Sequence, residues 1–529
     1  MSRSVSILDS TLRDGAQAEG ISFSPEDKLK IVKALDDAGV AYIEAGYPSS
    51  NPKDLEIFHA VKRLELKSAK ITAFGSTRRK GIRPEDDKNI QALLAADTAV
   101  IAIVGKCWDF HVTDIIHASL DENLCMIGDT IRFLKARGKE VIFDAEHFFD
   151  GYKSNPEYAA ACLKAAAEAG VDCLALCDTN GGMFPTDIYD ITKKMVETFA
   201  LPIGIHCHND SGMAVASTCM AVEAGASQAQ GTFTGIGERC GNVALSAVIP
   251  NLQIKRGIRC IDPEKMALLT KTSRLINAVS NIWNDENAPY VGRSAFTHKG
   301  GLHIDAVLKS TKSYEHIDPE LVGNDRRMVT SEVAGRGAIL AKIQRIKPGV
   351  TKDAPETEAI IRRVKELEHE GYQFEAAEGA LELIIRKQLG KYRPLFELVD
   401  FKIVGEQPHM EGRSATAMIK INVDGRTEIT AAEGDGPVNA LDKALRKALE
   451  VFYPQIKSIR LTDYKVRVMD GKSATASRVR VLIESTDGEE SWTTVGVSTD
   501  IIEASWIALV DSVEYKLIRD IENRFRAYL

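Results

Sequence analysis

From Val5 to about Pro250, short apolar runs alternate with longer amphipathic segments. The runs are Val5–Asp9, Ala41–Gly46, Lys70–Gly75, Thr98–Val104, Val141–Glu146, Cys173–Cys177, Ile203–His208 and Gln228–Phe233. Each is rich in β-branched residues or bounded by Gly, Pro, Asp or Asn, the pattern of strands buried on both faces of a parallel sheet. The segments between them carry helix starts, with Pro25, Pro156 and Pro185 in the first turn of three of them. Eight strand and helix units in about 250 residues predict a closed (β/α)8 barrel, since an open doubly wound sheet needs fewer strands. No GxGxxG follows any of the runs.

After about Ile261 the alternation stops and a mostly helical stretch begins, in which Pro355–Gly371 is charged with a helical period and reads as a solvated helix. From about Leu398 the chain repeats itself. Gly412–Ala417 (Gly-Arg-Ser-Ala-Thr-Ala) recurs as Gly471–Ala476 (Gly-Lys-Ser-Ala-Thr-Ala), each followed by alternating strands and then a helix, Val438–Glu450 and Ile501–Leu517. The expected organisation is therefore a barrel over 1–262, helical linker subdomains over 263–392 and an α+β domain over 393–529 built on an internal ββα duplication.

In a barrel of this kind chemistry gathers at the C-terminal ends of the strands. Run seven ends Ile205-His206-Cys207-His208, and side chains two apart on a strand leave on the same face, about 7 Å apart along the backbone. Run one is followed by Arg13 and Asp14, and run eight by the glycine-rich Gly235–Asn242. Closure of the barrel sets strand eight between strands seven and one. His206, His208, Asp14 and Asn242 then come from one arc of the mouth, where a divalent cation could reach all four. Oxygen and nitrogen donors without a thiolate suit Mg²⁺ or Mn²⁺, and Zn²⁺ is compatible. An isolated Arg-Asp-Gly is otherwise a capped loop with an exposed ion pair. Cys207 alternates to the opposite face and reads as packing.

Of 529 residues, 44% are hydrophobic and 27% charged, an ordinary globular composition. The net charge of -8 argues against nucleic acid or an anionic membrane as a partner. The nine cysteines include no CxxC pair and several lie in the apolar runs, so they read as reduced core thiols. With no apolar signal region and no run near the ~20 residues that span a bilayer, the expected location is cytoplasmic.

Leu8–Gly15 resembles the opening D-x-T-L-R-D-G motif of the metal-dependent TIM-barrel acyltransferases and lyases, a family that includes isopropylmalate, homocitrate and citramalate synthases and hydroxymethylglutaryl-CoA lyase. The His206–Asn209 element and the Gly235–Asn242 loop match the same family in order and spacing. Ser10–Gly20 and Ala73–Lys80 are most similar to the citramalate-forming branch. The resemblance implies an enzyme that condenses acetyl-CoA with pyruvate and hydrolyses the product, with Arg13 at the ketone and Glu146 as base. Thr179 and Glu44 would join Arg13 in binding substrate. His303 and Tyr314 would assist proton transfer or thioester hydrolysis. The terminal domain would be regulatory, with isoleucine as effector, in a homodimer or higher oligomer. The alternatives are an isopropylmalate or homocitrate synthase taking another 2-oxo acid, and a non-catalytic amino-acid sensor that keeps the barrel as a scaffold.

Overall fold

The computed structural model describes residues 3–50, 52–282, 285–328, 336–374, 377–410, 413–469, 477–488 and 490–527. Eight parallel strands, β1 (Ser6–Asp9), β2 (Tyr42–Gly46), β3 (Lys70–Ser76), β4 (Val100–Lys106), β5 (Glu140–Glu146), β6 (Cys173–Asp178), β7 (Ile203–Cys207) and β8 (Gln228–Gly231), close into a barrel in sequence order. Closure is made by β8 against β1, with Leu8 opposite Gln230 and Asp9 opposite Gly231.

Local chemistry starts the surrounding helices where the sequence placed them. Ser24 caps Pro25–Asp37 with a reciprocal bond to Asp27, and Asn155 caps Pro156–Glu168 through the Tyr158 N–H. Side chains between strands and helices form the main core, among them Ile7, Ile43, Ile103, Phe143, Leu174 and Ile205. Leu8, Phe74, Val100, Ala102, Ile142, Cys173 and Ala175 form a second apolar cluster made of residues on alternate strand positions. The barrel is thus a packed core and not a pore.

Contacts divide the chain into two compact units, residues 1–296 with 316–326, and residues 297–315 with 327–529. The second unit begins with a short parallel pair, β9 (Thr297–His298) and β10 (Arg327–Met328). It continues with two antiparallel sheets, each backed by a helix. β11 (Glu397–Met410), β12 (Arg413–Val423) and β13 (Arg426–Gly434) precede the helix Pro437–Glu450. β14 (Arg460–Val468), β15 (Val479–Thr486) and β16 (Ser491–Ser498) precede the helix Ile501–Ala527. On β12, Ala415, Ala417, Ile419, Ile421 and Val423 are buried at every second position. They meet Ala440, Leu441, Ala444, Leu445, Ala448 and Leu449 of the helix.

The duplication is therefore βββα, one strand richer than the repeated hexapeptides indicate, and the extra strand of each copy, β11 or β14, precedes the motif. Gly412 and the second hexapeptide, 471–476, lie outside the described residues. The helix Pro355–His369 is not a solvated one. Thr357, Ile360, Val364 and Leu367 are buried along one face and its charges occupy the other.

Candidate active site

The turn after β1 is wound tightly, with the Arg13, Asp14 and Gly15 amides all donating to the Ser10 carbonyl. This sets Asp14 against the end of β7. Its Oδ2 lies 3.3 Å from His206 Nε2 and 3.9 Å from His208 Nε2, and Asp14 is only 3% exposed. β7 ends at Cys207, so His208 stands just beyond the strand, where its backbone bridges Asn242. The Asn242 N–H donates to the Gly235 carbonyl and the Asn209 N–H to the Gly241 carbonyl. Gly241 is required here: its φ is +86°, and a Cβ would sit 2.1 Å from the Gly235 carbonyl oxygen.

Ligand-capable atoms of Asp14, His206 and His208 all lie within 4.8 Å of one another. Donors bound at about 2.1 Å and at right angles are about 3 Å apart, so the observed spacing fits one cation. Asn242 is 2% exposed and its Oδ1 has no hydrogen-bond partner. A buried acceptor left so costs about 1–3 kcal/mol, a cost that a cation would remove. Burial favours a neutral Asp14, but Arg13 and the two imidazoles overcome it and hold the carboxyl well below its usual range. Burial opposes a charged His206, and the Asp14 hydrogen bond outweighs it, raising the pKa. His208 is pushed down to about 4 by burial and by His206, which leaves it neutral and able to donate a lone pair.

Arg13 is fixed on three sides. Its Nε donates to Glu44 Oε2 at 2.6 Å, its guanidinium lies 3.9 Å over the Phe74 ring, and Nη1 is 3.3 Å from Asp14 Oδ2. The Ser10 hydroxyl donates to the same Glu44 oxygen at 2.6 Å. Burial works against the guanidinium charge, and Glu44 and Asp14 more than compensate. The pair is not the exposed one of an ordinary capped loop, since Asp14 is buried and Arg13 is largely covered.

Glu146 ends β5, across the barrel from β1, and is ion-paired with Lys106 at the end of β4. Thr179 follows β6. Its Oγ1 accepts from the His147 N–H at 2.8 Å, which leaves the hydroxyl proton for a ligand. His303 and Tyr314 belong to the second unit, where their rings stack at 4.1 Å. The structure thus gathers Arg13, Asp14, Glu44, His206, His208 and Asn242 into one cluster, carries Glu146 and Thr179 on the same barrel, and pairs His303 with Tyr314.

Several residues of the mouth escaped the sequence reading: Phe74 under Arg13, Lys106 beside Glu146, and the Asp210 and Arg239 pair in loops already singled out for their neighbours. Asp144 is another. It is buried, accepts from Gln230 Nε2 at 3.0 Å, and is pushed up to about 7 by burial and the Glu44 carboxylate. A carboxyl raised above its unfolded value keeps a proton in the folded state that the unfolded chain has lost. Its contribution is intact below about pH 4 and fades as pH rises toward 7. Asp144→Asn in metal-free protein should therefore match the parent near pH 4 and be the more stable by up to about 4 kcal/mol at pH 7.5. Denaturant unfolding of both proteins in chelator across that range checks this, and equal slopes would show Asp144 ionised throughout.

Sequence comparisons agree with this geometry. Residues 4–278 match the HMGL-like family, 290–372 the homocitrate synthase post-HMGL domain-like family, and 375–517 the LeuA allosteric (dimerisation) domain. An (R)-citramalate synthase of Aquifex aeolicus is 50% identical over 525 residues, 99% of each chain. One from Synechocystis sp. is also 50% identical, over 97% of this chain and 96% of its own. A probable 2-isopropylmalate synthase of Methanopyrus kandleri is more distant, 34% identical over 96% of this chain and 97% of its own. With half its residues shared along nearly the whole length, the chain belongs to the (R)-citramalate synthases of the HMGL-like family.

Proposed function

We propose that the protein condenses acetyl-CoA with pyruvate and hydrolyses the resulting thioester, giving (R)-citramalate and CoA. Asp14, His206, His208 and Asn242 would hold a divalent cation, Mg²⁺ or Mn²⁺ by their donor types and Zn²⁺ less naturally; when bound it supplies Lewis-acid polarisation of a ketone. Arg13 donates from its guanidinium to the ketone oxygen and stabilises the negative charge that grows there. Glu44 acts through Arg13, because its Oε2 is already shared between Arg13 and Ser10. Thr179 donates to the oxo acid's carboxylate. Glu146, oriented by Lys106, takes a proton from the acetyl methyl, and the carbanion so formed attacks the ketone carbon. His303 and Tyr314 assist the later proton transfer and the attack of water on the thioester.

The observation that carries this reading is the largely covered Arg13 and Asp14 turn meeting His206 and His208 at the end of β7, a set of converging charges for which a scaffold has no use. Release of free thiol from acetyl-CoA, followed with pyruvate, 2-oxoisovalerate and 2-oxoglutarate in Mg²⁺ or Mn²⁺, tests it. Turnover should be fastest with pyruvate. Preference for 2-oxoisovalerate would make the protein an isopropylmalate synthase, and no thiol with any acid would leave the amino-acid sensor.

The paired βββα modules, matched to the LeuA allosteric (dimerisation) domain, support a dimer whose terminal domain binds an amino-acid effector, isoleucine for this reaction. All nine cysteines are free, which supports a reducing cytoplasm. Among the described residues no helix is long and apolar enough to cross a membrane.

A further inference from the structure

Three loops of the barrel mouth carry the groups assigned above: the β6 loop with Thr179, the β7 loop with His208 and the β8 loop with Asn242. Neighbouring loops are joined by backbone. The Asn209 N–H donates to the Gly241 carbonyl, and the Ser211 N–H to the Gly181 carbonyl. One side chain spans all three. Arg239 of the β8 loop donates from Nε and Nη2 to the two Asp210 oxygens, at 2.8 and 3.0 Å, and from Nη2 to the Thr179 carbonyl at 2.7 Å.

Two features show that this contact is built in. Arg239 adopts a φ of +56°, a left-handed conformation that costs a non-glycine residue about 1 kcal/mol or more. Gly181, at φ +62°, makes room for its partner: a Cβ there would lie 2.5 Å from Asp210 Oδ2. A planar guanidinium can hold a carboxylate with two parallel bonds and still donate a third, which an ammonium cannot do.

We propose that Arg239 is a positioning residue for the oxo acid's carboxylate, its Asp210-anchored guanidinium setting the spacing between Thr179 and the Asp14, His206, His208 and Asn242 cluster. The proposal rests on the reaction assigned above. It acts through Thr179, because the bond is made to that residue's own carbonyl while the Thr179 hydroxyl is held from the other side by the His147 N–H. A shift of the Thr179 backbone of well under 1 Å would detune a two-point grip on the substrate.

The test compares the full-length parent with Arg239→Lys, Asp210→Asn and the double variant, reading KM for pyruvate, KM for acetyl-CoA, kcat, and Mn²⁺ affinity from the free-ion resonance signal. Arg239→Lys should raise the pyruvate KM about tenfold or more and leave the acetyl-CoA KM and Mn²⁺ affinity within about twofold. The double variant should be little worse than either single one, since both break one clamp. A pyruvate KM within twofold of the parent, or a loss of Mn²⁺ affinity that parallels the loss of turnover, overturns the proposal. A parent that itself releases no thiol with any oxo acid overturns the assigned reaction first, so the two failures are told apart.

Discussion

Asp14→Ala should lose turnover by about a thousandfold or more and lose Mn²⁺ binding with it. Asp14 Oδ2 is within 3.3 Å of both Arg13 and His206 and 3.9 Å from His208, at 3% exposure. Removing the carboxylate takes away one of the proposed cation ligands. It also leaves a guanidinium and an imidazole facing each other without their shared counter-charge, a change that typically costs about 3–5 kcal/mol in a buried site. Asp14→Asn separates the two effects, since it keeps the volume and one oxygen but not the charge. His208→Ala should behave like Asp14→Ala in activity and metal affinity with a smaller loss of stability, because burial and His206 keep the His208 imidazole neutral and its removal leaves no charge unpaired. Mn²⁺ titration, thiol release and thermal unfolding on the same preparations decide the matter. Full Mn²⁺ affinity in Asp14→Ala would remove it from the ligand set and leave it as the partner of Arg13.

The barrel was legible because parallel strands buried on both faces write themselves as uninterrupted apolar runs. Each of the eight runs became a strand, with ends displaced by a residue or two. The convergence of Asp14, His206 and His208 was legible for a related reason: closure in sequence order makes strands seven, eight and one neighbours, so residues remote in the chain become adjacent by topology alone. His208 shows where that logic is looser. It left the strand, and its direction is kept by the bridge to Asn242.

Ion pairs around the mouth were not legible. Asp210 and Arg239, on two loops, are 29 residues apart, and Lys106 and Glu146, at the ends of neighbouring strands, are 40 apart. Charges on loops have no period that reveals a partner, and the pairing of strand ends depends on a register that only coordinates fix. The resemblance implies that Glu44 binds substrate, and only coordinates show that its Oε2 is shared by Ser10 and Arg13. In the second unit the extra strands were missed for a different reason. Apolar Tyr464, Val466 and Val468 do alternate with charged residues on β14, but β11 and β14 precede the repeated hexapeptides from which the modules were read.

Glu146→Gln should lower turnover by about 10²- to 10⁴-fold while pyruvate binding to the Mn²⁺-loaded protein stays within about threefold. The groups that would hold the oxo acid, Arg13, Thr179 and the cluster around Asp14, follow other strands, and the bonds described for them do not involve Glu146. Glutamine keeps the shape and can still accept from Lys106, but it cannot take up a proton. The loss should therefore fall on kcat, with titration of pyruvate unchanged. A second readout isolates the step: exchange of the acetyl methyl protons into deuterated solvent should vanish in Glu146→Gln and persist in Thr179→Ala. If exchange continued at the parent's rate in Glu146→Gln, the proton would have another acceptor. The carboxylate paired with Lys106 would then serve only to set the charge of the mouth.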